Sequence, residues 1–114
     1  MTIITRSGIA QETVAITDTT LYTASSTLDN AFIAKALASN STTSPATLTI
    51  NIVQSGGSVA STNEYVIEKT IPANQQVVLH EVIGEQLDPG DFISAKASVV
   101  STISLRISMK ELST

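Results

Sequence analysis

The tightest constraint in this sequence is a period of two. In Thr47–Ile52, Leu48, Ile50 and Ile52 alternate with Thr47, Thr49 and Asn51, and in Thr102–Met109, Ile103, Leu105, Ile107 and Met109 alternate with Thr102, Ser104, Arg106 and Ser108. Successive strand side chains point to opposite faces, so each run presents one apolar and one polar face, the pattern of a half-buried β-strand.

Other segments follow the same logic between turn residues. Val14 and Ile16 alternate with polar neighbours, and Leu21-Tyr22-Thr23-Ala24 follows Asp18 and Thr19. Ala31–Ala38 is apolar on both faces; Ala31, Ala34, Lys35, Leu37 and Ala38 would also suit a helix capped by Asp29, but no other helical period exists in the chain, which favours a buried strand. Asn40–Ser44 closed by Pro45, Ser55–Ser58, Pro72-Ala73-Asn74 and Leu87–Asp91 supply turns. In Glu64–Ile71 two registers compete, and the expected inward set is Tyr65, Ile67 and Ile71, with Lys69 snorkelling at an end. Val77–Ile83 and Phe92–Val99 read as further strands. The expected fold is all-β: a single β-sandwich or jelly roll of about eight antiparallel strands over residues 13–114. Residues 1–12 lack both a strong period and a turn to fold them back, and read as an extended N-terminal arm or a frayed terminus. Such a segment orders only against another chain or its own domain, because alone it cannot offset its backbone entropy.

Composition narrows the function classes. A chain of 114 residues supports one core. Charged residues make up 14% and aromatics 4%, with no Trp and no Cys. A net charge of -4 and six scattered basic residues argue against nucleic acid and against a membrane surface. The absence of Cys excludes disulfides and thiolate chemistry. No signal peptide and no membrane-spanning run is expected.

Chemistry finds little to build on. His80 is the only imidazole, and alternation places it opposite Leu79 on a strand, as a surface residue. Asp88 and Asp91 flank a Pro-Gly turn, where Asp bonds local N–H groups; calcium is the functional alternative. Ser55-Gly56-Gly57-Ser58 lacks the Lys and the strand-to-helix setting of a phosphate loop, and Asn40-Ser41-Thr42 matches a glycosylation acceptor pattern common by chance. The reading is a protein that is not an enzyme, with no catalytic residues, no cofactor and no metal.

From Leu21 onward the chain resembles β-sandwich virion proteins of tailed bacteriophages, most of all head decoration (cement) proteins. The resemblance rests on Leu21-Tyr22-Thr23-Ala24, a middle strand leading to Asn40-Ser41-Thr42, then Thr47-Leu48-Thr49-Ile50, Ile71-Pro72-Ala73-Asn74, Leu87–Asp91 and Ser108-Met109-Lys110-Glu111-Leu112. Ala24-Ser25-Ser26 departs from the form of the family with Pro after the Tyr-Thr pair. The resemblance implies a structural protein, commonly a homotrimer, assembled in the host cytoplasm onto the virion's capsid surface, where it binds the major capsid protein and staples its subunits. Within that reading the arm, around Ile3, Ile4, Arg6 and Ile9, clamps a neighbouring subunit by adding a strand to an exposed sheet edge. A tail, fibre or neck module is the first alternative. A glycan-binding sandwich is the second, disfavoured by the scarcity of aromatics.

Overall fold

The computed structural model describes residues 2–113. Met1 and Thr114, the outermost residues of the expected arm and sandwich, lie outside the described residues. Nine strands follow in order: β1 (Thr2–Thr13), β2 (Thr19–Thr23), β3 (Asn30–Asn40), β4 (Ala46–Val53), β5 (Glu64–Ile71), β6 (Gln75–Val78), β7 (Gln86–Leu87), β8 (Phe92–Ala97) and β9 (Ile103–Ser113). They form two antiparallel sheets. The larger runs β1-β9-β3-β6 with β7 also beside β3, and the smaller runs β2-β8-β4-β5.

The pairings are nested: β1 with β9, β2 with β8, β3 with β6 and β7, β4 with β5. The chain is thus one long antiparallel ribbon whose tip is the β4–β5 connection, wound so that successive pairs fall alternately in the two sheets. Inward side chains of both sheets fill the gap between them, as in any stacked pair of sheets. Ile33, Ile103, Leu105, Ile107 and Met109 face Leu48, Ile50, Ile71 and Ile93, all at most 1% exposed. No aromatic residue is fully buried among them. The core is therefore built from the β-branched and aliphatic residues that gave the sequence its period.

Several expectations held and some did not, each for a local reason. Ala31–Ala38 is a strand, and its two apolar faces are explained by a bulge: the β3–β9 register shifts between Ile33 and Lys35, so Ala31 and Ile33 face inward before it and Ala36 and Ala38 after it. In β5 the inward residues are Val66 and Ile71, while Tyr65 and Ile67 are exposed. The β4–β5 register shifts between Leu48 and Ile50, and Glu68 takes φ +41°, so the strand changes face midway. Strict alternation could not show that. The expected strand Val77–Ile83 ends at Val78. Leu79 and Val82 are both buried, three residues apart, which a turn allows and a strand does not.

Thr2–Thr13 form β1, paired along β9 from Thr2↔Ser113 to Thr13↔Ser104, so this extended segment orders against its own domain. No nearby turn was needed because the partner strand lies at the far end of the chain.

Candidate interaction surface

Of the four arm residues singled out from the sequence, β1 separates one from three. Ile9 is 1% exposed and belongs to the core, opposite Ile107, so it is not a surface contact. Ile3 is 63% exposed, Ile4 and Arg6 are also exposed, and they share the outer half of the strand. Register shifts between Ser7 and Ile9 and between Ile9 and Glu12 divide β1 into this outer half and an anchored half.

What holds the outer half down is a group the sequence reading missed. Arg6 Nε lies 2.7 Å from Glu111 Oε1, and the Tyr22 hydroxyl donates to the other Glu111 oxygen. Glu111 is buried, whereas the Arg6 side chain is half open to solvent. Burial pushes the Tyr22 hydroxyl far above the usual tyrosine range; the hydrogen bond to Glu111 and its charge add to this, and Arg6 opposes it. At Gly8 the strand passes so close that an added Cβ would stand 2.3 Å from Met109 Cγ and 3.1 Å from Tyr22 Cδ1. The signal was present in the sequence: Glu111 continues the inward phase of Ile103, Leu105, Ile107 and Met109, and an acid on an apolar face needs partners.

A second surface lies at one end of the sandwich, where the β1–β2, β3–β4, β5–β6 and β8–β9 connections meet. Ala97 N–H donates to Ala15 O (2.8 Å), Ser98 N–H to Thr47 O (3.0 Å) and Asn74 N–H to Thr42 O (3.0 Å), tying these loops together. Ile16, Val99 and Val100 are exposed here, and Asp18 is the only charged residue in the four connections. Asn40 builds the scaffold beneath. Its Nδ2 donates to Ser44 O (2.8 Å) and Ile71 O (3.1 Å), while its Oδ1 accepts from Thr42 N–H (2.9 Å) and Thr42 Oγ1 (2.7 Å). A buried amide so engaged is a structural strut, and the glycosylation reading of Asn40-Ser41-Thr42 does not fit the folded chain.

The remaining candidates are dispersed. His80 is exposed in the turn after β6. Beside it, Glu81 accepts a hydrogen bond from Lys69 Nζ at 2.9 Å; burial pushes the Glu81 carboxyl up, but that bond, a local backbone bond and nearby positive charge prevail and hold it below its ordinary value. Asp91 accepts from Ser55 N–H (2.9 Å) and Asp88 N–H (3.0 Å), so this carboxylate locks two turns together, and Gly90 at φ +89° permits the approach to Ser55. Asn63 does similar work, accepting from Asn51 Nδ2 (2.7 Å) and Ala60 N–H (3.1 Å) to fold the Ser55–Ser58 loop back over the outer face of β4. Among the described residues no three His, Asp or Glu side chains gather as a metal site would require. The depression of about 310 Å³ beside this loop, between Val53, Gly57 and Tyr65, is lined by no carboxylate or imidazole.

With this geometry in view, solved structures provide the comparison. A chain from Bacillus endospore appendages, described as a family of disulfide-linked pili, superposes with a TM-score of 0.57 at 15% identity, over 99% of this chain and 90% of that one. The likeness is one of fold. A chain of the T13 IBDV viral particle gives a TM-score of 0.46 at 12% identity, over 98% of this chain and 31% of that one. No family model matches the sequence, and no curated protein matches it.

Proposed function

We propose that this protein is a structural virion protein that is not an enzyme, and that it decorates the outer surface of a bacteriophage head and stabilises contacts between major capsid subunits. The observation that carries the reading is that three exposed aliphatic side chains, Ile16, Val99 and Val100, lie in connections whose one charged residue is Asp18, close to the composition of the buried centre of protein interfaces, on a sandwich whose polar groups brace its own loops. The sequence resemblance supports the finer reading, because two of its motifs, Asn40-Ser41-Thr42 and Ile71-Pro72-Ala73-Asn74, fall on turns that build this end. The nested pairing supports the jelly-roll form of the sandwich, an architecture used by capsid proteins among others. In this reading Ile16, Val99 and Val100 meet the shell, Ile3, Ile4 and Arg6 form a lateral contact, and copies linked to one another gain tight attachment from weak single contacts by avidity.

Adding purified protein to heads assembled without it tests the proposal. Saturable binding at a fixed number of copies per shell, with a higher temperature of shell rupture, is the expected result. Heads that bind none, from particles whose tails or fibres are missing, would overturn it. The likeness to a pilus subunit favours a second reading, a subunit of a filamentous appendage. Filaments of the purified protein in electron micrographs would support that one. Because the chain has no Cys, such a filament would have to hold without disulfides.

A further inference from the structure

We propose that the outer edge of β1 is a pairing site for a second copy of this chain, joined antiparallel about a two-fold axis at Ile4. The inference goes beyond the decoration reading and stands or falls without shells.

A sheet edge presents unpaired N–H and C=O groups, and natural proteins blunt such edges with short strands, bulges, charge or proline. Three of the four edges here are blunted. The β6 and β7 edge consists of strands of four and two residues separated by a turn. On β2, five residues long, the register shifts between Thr20 and Tyr22. On β5 there are a bulge, Glu68 at φ +41°, and the charges Glu64, Glu68 and Lys69. The outer half of β1 differs. Thr2–Ser7 runs in unbroken register on β9 without proline, and its single charge, Arg6, is already paired with Glu111.

Two features select a second copy as the occupant. The first is charge. A chain of net charge -4 repels its own copies, yet no acidic residue occurs from Thr2 to Gln11, so this edge admits another copy without facing carboxylates. The second is self-complementarity. A two-fold axis perpendicular to the sheet keeps inner faces aligned, so paired positions share parity and a centre at Ile4 pairs residues whose numbers sum to eight. Ile4 then meets Ile4 of the other copy, Ile3 meets Thr5, and Arg6 meets Thr2. Aliphatic and β-branched residues cover one another, and no like charges stand opposite. Half a dozen residues per copy make a small interface, so association is weak in isolation.

Sedimentation of the intact protein over a concentration series up to about 1 mM, the weak end of specific association, is expected to show reversible conversion from monomer to dimer. Ile4→Lys and Ile4→Glu should each stay monomeric and folded, and mixing them in equal amounts should restore the dimer, because residue 4 faces its own counterpart. Ile67→Lys, on the blunted β5 edge, should dimerise as the parent does. The proposal is overturned if the parent is monomeric throughout, if Ile4→Lys dimerises normally, if the mixture stays monomeric, or if Ile67→Lys abolishes pairing.

Discussion

At the scale of single residues, the Arg6–Glu111–Tyr22 group decides how firmly the N-terminal strand is held. Removing one partner of a buried pair leaves the other desolvated, a loss of about 3 to 5 kcal/mol for fully buried pairs. Arg6 is more than half exposed, so Glu111→Ala is expected to lose about 2 to 3 kcal/mol, measured by denaturant titration. Tyr22 makes the same group sensitive to alkali. Its hydroxyl holds its proton more tightly in the folded chain, whereas an unfolded tyrosine ionises near pH 10. The folded state therefore binds more protons above that pH, and stability, complete below about pH 10, falls as pH rises. Tyr22→Phe should flatten this alkaline slope; an unchanged slope in that variant would place its origin elsewhere. Gly8 adds a steric limit. Gly8→Ala forces Met109 or the strand to move, at a cost of about 1 to 3 kcal/mol, and Met109→Ala in the same chain should relieve part of it.

At the scale of elements, legibility followed regularity. β4 and β9 were readable because their inward phase is unbroken from Leu48 to Ile52 and from Ile103 to Met109. The phase of β5 was not, because a bulge changes the strand's face and competing aliphatics stand on both sides. Its signature is Glu68, a non-glycine residue at φ +41° whose N–H donates to Thr49 Oγ1 at 3.3 Å. Replacing Glu68 by Gly removes the steric penalty of that conformation, and is expected to leave stability unchanged or raise it by up to about 1 kcal/mol. A clear loss in thermal melting would show that the bulge depends on the side chain. Ile3, Ile4 and Arg6, singled out in the sequence as arm residues, are exposed on β1. The sparsely charged loop end could not be read in sequence, because its residues come from four connections that only the winding of the ribbon brings together. Asn40 ties the β3–β4 connection to the end of β5. Asn40→Ala leaves Thr42 N–H and the Ile71 carbonyl without this partner, while the Ser44 carbonyl keeps the Thr42 hydroxyl, and a loss of about 1 to 3 kcal/mol is expected.

At the scale of the whole molecule, the nested pairing sets both the order of assembly and its speed. The β4–β5 hairpin is the most local pair, and each further pair, β3 with β6 and β7, β2 with β8, β1 with β9, closes a longer stretch of chain. The entropy of closing these loops precedes the reward from their contacts, and β-sandwiches dominated by distant pairing fold in about milliseconds to seconds. Stopped-flow refolding is therefore expected to fall in that range, with core substitutions at Ile50 or Ile93 slowing it. Removal of the last pair to close should behave differently. A chain without residues 1–8 retains every pairing but the outer half of β1, so it should refold at nearly the parental rate and unfold faster, the behaviour of contacts formed after the transition state. Slowed refolding with an unchanged unfolding rate would mean that β1 meets β9 early, and that the ribbon closes from its ends instead of its tip.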